Sequence, residues 1–168
     1  LLSKADLVFT TSRNLYEEKK KHNHRTYLIQ NVGDYNHFIK ATYTETKIPE
    51  DIKWLPKKIV GFIGAIDNYK LNTELLLYLS EERPDLSIVF IGLVGIAGRR
   101  ADNSLLGKCR NIYFLGERKY EILPNYLKSF NVCIIPYLSN EYTKNCFPIK
   151  FFEYLASGKQ ILAIGPEK

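Results

Sequence analysis

Residues 145–165 read NCFPIKFFEYLASGKQILAIG. Pro148 stands where a helix can begin, because its fixed φ suits a first turn and its missing N–H is not needed there. Gly158 stands where a helix can end, supplying the left-handed conformation that other residues adopt only with strain. Between them Ile149, Phe152, Leu155 and Ala156 recur at helical spacing and are expected to pack on a core. Lys150, Glu153 and Ser157 fall on a different, polar strip of the same helix. Residues 160–164 then read as a buried strand. The pattern predicts a short helix that aims its N-terminus, a carboxylate and an amine at the mouth of a parallel sheet, a setting suited to a phosphorylated ligand.

Upstream of this stretch, residues 58–164 alternate apolar runs with helical patterns. Strands are expected at 59–63, 86–91, 112–115, 132–135 and 161–164. The helices between them fall at 72–82, 120–130 and 149–157, with a short turn near 104–108. Strands spaced by helices in this way form βαβ units, and continuous rather than alternating apolar runs mark strands buried on both faces. The fold class is therefore α/β, a Rossmann-like parallel sheet flanked by helices. Nearer the start, residues 6–11 read as a short strand and Ser12 as the cap of a helix reaching about Lys21. A second strand covers 25–31 and leads into a turn-rich loop at 32–38. Residues 41–57, polar and interrupted by Pro49 and Pro56, read as a linker in which Trp54 and Leu55 dock on a neighbouring surface.

The composition is that of a soluble globular protein, with 45% hydrophobic and 25% charged residues among 168. No apolar run approaches the roughly 18 residues of a membrane helix, and no signal-peptide pattern opens the chain. Three scattered cysteines, Cys109, Cys133 and Cys146, suit a reducing compartment and hence the cytoplasm. The chain begins without Met inside an apparent helix end and stops just after a strand, so it is expected to be a piece of a longer protein. A net charge of +6 favours anionic partners. Lys19, Lys20, Lys21 and Arg25 form the densest basic cluster, read as a solvated helix face or as peripheral contact with the inner face of the membrane. No nucleic-acid-binding motif is present.

Ligands of such a sheet sit beyond the carboxyl ends of its strands, where Gly64, Gly92 and Gly116 directly follow apolar runs. Gly92, Gly95 and Gly98 do not have dinucleotide-binding spacing, and residues 99–103 do not open an apolar helix, so that stretch reads as a loop. There is no Walker A pattern, no Gly-x-Ser-x-Gly elbow and no His-Glu-x-x-His. Neither is there an Asp-x-Asp pair of the kind that holds a metal in many nucleotide-sugar enzymes. No metal and no cofactor are expected. Glu153 is open to two readings: a solvated i, i+3 partner of Lys150, or a carboxylate accepting hydrogen bonds from the hydroxyls of a ribose.

Taken in order, these residues resemble the family 4 retaining glycosyltransferases of the GT-B fold, specifically their nucleotide-sugar-binding C-terminal half. Residues 5–12 and 29–38 resemble the family's hinge strand and its sequel, and 59–64 its first C-domain strand and glycine loop. Residues 111–116, Leu123-Pro124 and 131–136 match a further stretch, and 148–158 with 160–163 match the donor-site signature. The resemblance implies that Glu153 holds the ribose and that Arg118, just past Gly116, reads the base by its backbone. It implies that the helix start near Phe147, Pro148 and Ile149 faces the phosphates or donor sugar. Lys70, six residues after Gly64, would neutralise the leaving pyrophosphate.

Two positions depart from the pattern: Ala65 stands where the family has arginine, and Asn145 where it has a glutamate that addresses the donor sugar. Lys150 is then expected to take over part of the arginine's role. By this reading residues 1–40 end an acceptor-side domain and hinge, and 58–168 form a donor domain truncated at its C-terminus. The expected partners are a UDP- or GDP-sugar and a glycan or lipid-linked acceptor bound through the missing N-terminal domain. The piece alone is expected to bind nucleotide without appreciable turnover. The rival readings are a non-catalytic nucleotide-binding module and a GT-B-type nucleotide-sugar epimerase.

Overall fold

The computed structural model describes residues 1–56, 58–95 and 106–165. In chain order its elements are β1 (Val8–Thr10), α1 (Arg13–Lys20), β2 (Thr26–Leu28), α2 (Tyr35–Phe38), α3 (Glu50–Lys53), β3 (Ile59–Ile63) and α4 (Thr73–Glu82). There follow β4 (Ser87–Ile91), β5 (Ile112–Gly116), α5 (Leu123–Ser129), β6 (Val132–Pro136), α6 (Glu141–Lys144), α7 (Ile149–Ala156) and β7 (Gln160–Ile164). Gly98 and the rest of the loop expected after Gly95 lie outside the described residues.

Strands β1 and β2 pair in parallel, and the other five form a parallel sheet in the order β5-β4-β3-β6-β7. The chain lays down β3, steps outward through β4 to β5, then returns to place β6 and β7 on the other side. The direction reverses between β3 and β6, and at such a switch point a crevice opens outside the carboxyl ends of the strands. This is the α/β, Rossmann-like architecture that the alternating pattern predicts.

Every residue of β3 and β4 is buried, which is why both read as unbroken apolar runs. Phe62, Phe90 and Phe114 occupy matched registers on three neighbouring strands. The Phe90 and Phe114 rings stack with centroids 5.3 Å apart, and Phe62 lies 6.0 Å from Phe90, so one aromatic row fills a face of the sheet. Gly61 leaves room for the ring of Phe130, which would lie 2.0 Å from a Cβ placed there.

The ladder from β3 to β6 spans only Val60–Val132 and Gly61–Cys133. Past it, the buried N–H of Ile63 donates to the hydroxyl of Tyr154, 2.9 Å away on α7. Tyr154 is fully buried, and that burial pushes its phenol well above the usual range. Since a buried N–H without a partner costs about as much as a lost hydrogen bond, this contact fixes which face of α7 turns inward.

That face differs from the one read in the sequence. Glu153, Tyr154 and Ser157 are buried, whereas Ile149 and Leu155 are 43% and 60% exposed. Phe152 and Ala156 are half-buried. The physical reason is that one tyrosine with a polar handle docks the helix better than an aliphatic stripe that has no opposing surface. Likewise β7 is an edge strand with Gln160, Leu162 and Ala163 exposed, not a buried one.

Residues 41–56 are packed onto the sheet domain rather than spanning free between two units. Ala41, Ile52 and Leu55 belong to the same core as β3 and β4. Lys128 of α5 donates to the carbonyls of Tyr43 and Thr44, and Asn125 donates to that of Lys47. Trp54 docks edge-on against Tyr113, centroids 5.7 Å apart. No helix among the described residues is long and apolar enough to cross a membrane.

Replacing Tyr154 with Phe removes the acceptor for the Ile63 N–H while keeping the ring. We expect Tyr154→Phe to lower stability by about 1–3 kcal/mol in urea denaturation with an unchanged m-value. An unchanged midpoint would mean that the N–H finds another partner.

Candidate functional site

The loop after β3 and the loop after β6 are stitched together across the switch point. Lys70 and Leu71 N–H groups turn back to the Asp67 carbonyl, Leu138 N–H donates to the Lys70 carbonyl at 2.9 Å, and Asn72 N–H donates to that of Pro136 at 2.8 Å. These bonds bring Lys70 beside Tyr137, with Nζ 5.1 Å from the ring centroid. Burial lowers the Lys70 pKa, and the nearby charge of Lys150 lowers it further, against the opposing pull of Cys146 and Asp67.

α7 faces this corner with its first turn. Pro148 sits at its N-cap and Gly158, at φ +67°, follows its C-cap, as the quoted stretch predicts. Lys150 Nζ lies 2.8 Å from Glu153 Oε2. The i, i+3 partner of one sequence reading is therefore present, but the carboxylate is only 7% exposed and not solvated. A carboxylate buried with one amine for company can still accept from hydroxyl donors on its other lone pairs.

Two hollows share Lys150 in their walls. The larger, about 650 Å³, is walled by Lys70, Asn145, Phe147, Pro148, Ile149, Lys150 and Glu153, all expected from the sequence. The smaller, about 210 Å³, is walled by Gly64, Ala65, Gly92, Glu117 and Arg118, and again by Lys150. Its floor is two glycines in contact: a Cβ on Gly92, at φ +145°, would lie 2.0 Å from the Gly64 carbonyl oxygen. Gly116, at φ +75°, makes the turn that leads Glu117 and Arg118 to the wall.

The Arg118 side chain is committed elsewhere. Its guanidinium pairs with Asp51 at 2.7 Å and donates to the Tyr126 hydroxyl at 2.7 Å, clasping α3 to α5. A third guanidinium N–H donates to the Glu117 carbonyl at 3.0 Å. Asn145 likewise spends its amide N–H on the Glu141 carbonyl at 2.8 Å, capping its own helix. The larger hollow also holds residues that the sequence reading did not assign to a site: Thr11, Leu15, Asn31, Tyr137, Glu141, Tyr142 and Cys146. Tyr137 directly follows β6, and Glu141, Tyr142 and Cys146 adjoin Asn145 and Phe147 in sequence; Thr11, Leu15 and Asn31 come from elements that only the fold brings near. Burial, with the Cys146 thiol beside it, pushes the Tyr142 phenol up to about 12. Among the described residues no three His, Cys, Asp or Glu side chains group to hold a metal ion.

No family model matches the chain. It is 25% identical to the putative teichuronic acid biosynthesis glycosyltransferase TuaH of Bacillus subtilis strain 168, with 96% of this chain aligned to 41% of that protein. Among solved structures, HepE of Anabaena in complex with UDP and glucose superposes with a TM-score of 0.71 at 16% identity, covering 95% of this chain and 44% of that one. Sucrose-phosphate synthase of Thermosynechococcus elongatus gives 0.66 at 23% identity over 96% of this chain and 41% of that one. WaaG, a glycosyltransferase involved in lipopolysaccharide biosynthesis, gives 0.59 at 13% identity, covering 92% and 43%. The chain thus spans about two-fifths of the length of these proteins. The fold is that of the C-terminal, Rossmann-like half of a GT-B glycosyltransferase, and the resemblance read from the sequence returns in both comparisons.

Lys70 carries a charge that burial disfavours, so the free protein bears a cost at neutral pH that an uncharged side chain of similar length does not. We expect Lys70→Met to raise Tm at pH 7. The advantage should shrink as pH rises through the lowered Lys70 pKa, where the native state sheds the proton and the unfolded chain keeps it. Calorimetric scans from pH 7 to 10 check both the sign and the trend.

Proposed function

We propose that this chain is the donor-binding half of a retaining, metal-independent glycosyltransferase. It would bind a nucleoside diphosphate sugar, with UDP the favoured nucleotide, for transfer to a glycan or lipid-linked acceptor. One observation carries the reading: Lys150, paired with Glu153 in the larger hollow, also lines the smaller one, so a ligand that fills both passes it. An extended, anionic molecule with a hydroxylated middle suits that path. The base lies in the small hollow against the backbone of residues 117–118, the ribose at Glu153, and the diphosphate and sugar in the large hollow.

The chemistry follows from the charges. As the bond between the sugar's anomeric carbon and the diphosphate oxygen breaks, negative charge develops on the departing nucleotide. Lys70 and Lys150 are suited to meet it, as are the Ile149 and Lys150 N–H groups that open α7. Lys150 supplies the cation that Ala65 does not. The choice of UDP is supported by the HepE structures, which hold UDP and UDP-glucose. A lipid-linked acceptor would place the whole protein at the inner face of a membrane, to which the net charge of +6 is suited.

Calorimetric titration of the chain with UDP, GDP and ADP tests the reading. UDP is expected to bind best, and Glu153→Ala to weaken it by about 1–3 kcal/mol, the cost of stranding hydrogen-bonded polar groups. Full-length protein that binds none of the three, or a variant that binds as well as the parent, would overturn it.

A further inference from the structure

We propose that Asn31 is a positioning residue for the diphosphate end of the cleft. The inference rests on the donor-site reading above and adds to it a residue from outside the sheet domain.

α7 is held at two separate places. Its C-terminal half is held by Tyr154, whose hydroxyl accepts from Ile63 N–H on β3. Glu153 directly precedes Tyr154 and is fixed with it. The approach to the helix, residues 145–148, is held differently. Asn145 N–H donates to the Tyr142 carbonyl and Cys146 N–H to that of Thr143, closing the end of α6, and the Pro148 carbonyl accepts from Phe151 N–H. Pro148 has no N–H to give.

A long-range restraint on this turn comes from the loop after β2, beside the packing of the Phe147 ring on Phe152 and the bond from Asn14 of α1 to the Lys144 carbonyl at 3.0 Å. Asn31 Nδ2 donates to the Phe147 carbonyl at 2.6 Å, across 116 positions of sequence. Two residues on, Gly33 lies flat against the helix, and a Cβ there would sit 2.9 Å from Phe152 Cβ and 3.1 Å from Glu153 N. Segment 31–33 thus runs along the first half of α7. By holding the Phe147 carbonyl back, Asn31 turns the opposite edge of the turn, with the Ile149 and Lys150 N–H groups, toward the cleft. The two anchors therefore serve different parts of one ligand: Tyr154 the nucleoside, Asn31 the diphosphate.

The division is measurable with uridine and UDP, titrated by NMR into the wild-type chain and the Asn31→Ala and Asn31→Asp variants. The Ala variant removes the donor without adding charge; the Asp variant keeps the side-chain shape but adds a negative charge, so its UDP affinity is expected to fall at least as far. We expect UDP affinity to fall about fivefold or more in both, with uridine affinity within twofold of wild type. Amide exchange in the unliganded protein should accelerate at Phe151 and Phe152 and stay unchanged from Leu155 to Gly158. Equal losses for uridine and UDP, or no loss for either, would overturn the proposal, as would unchanged exchange at Phe151 and Phe152. Wild-type protein that binds neither probe would sink the donor-site reading itself, and the exchange data would then judge the Asn31 anchor by themselves.

Discussion

The N–H of Ile63 is buried at a point where the ladder that should satisfy it has already ended. Parallel strands either side of a switch point splay apart toward their carboxyl ends, and β3 and β6 share only two matched pairs before they do. The phenol of Tyr154 fills the resulting gap in the hydrogen-bond pattern. Because that phenol lies on α7, the same bond that completes the sheet also sets the rotation of the helix. Rotation decides what faces the crevice: Lys150 and Glu153 turn in, while Leu155 is left exposed. The site geometry is thus a by-product of satisfying one backbone donor.

The charges in the crevice are balanced with little to spare. Glu153 is neutralised by Lys150 at 2.8 Å, and Lys70 sits within reach of Lys150's repulsion in partly dry surroundings. Such an arrangement is less comfortable empty than filled by an anion, which would relieve both the repulsion and the burial of Lys70. Stability and binding are set against each other at these two lysines, as is common where a site is pre-organised for charge that arrives with the ligand.

Much of the fold was legible because its central strands are buried on both faces. Residues 59–63 and 132–135 carry unbroken apolar runs that nothing but a covered parallel strand explains, and the structure places strands there. The four-residue helices Tyr35–Phe38, Glu50–Lys53 and Glu141–Lys144 were not legible, since one turn is too short to display a period. The stretch around Ile52 and Leu55 read as linker because two isolated apolar anchors among polar residues and prolines carry no pattern, yet each fills a core position. The inward face of α7 was misread for a related reason: aliphatic counting overlooks a tyrosine that docks by its hydroxyl. Lys70, Lys150 and Glu153 were named from spacing and resemblance, and the fold brings them to one hollow. Asn31 was not named for the site, because topology alone brings it there, and Tyr142, though near in sequence, carried no motif.

The two glycines under the small hollow limit how this protein can change. Gly92 touches the Gly64 carbonyl so closely that a single methyl on it would collide with the backbone of another strand's loop. Neither loop can drift without the other, so the floor is closed to gradual substitution. Variation in what the small hollow accepts has to come through its wall, at Glu117 and the backbone beside it. There a side chain can be exchanged one step at a time without disturbing the sheet. A lineage carrying this floor would diversify its choice of base along one edge only, and its sequences would record that as a fixed glycine pair beside a variable loop.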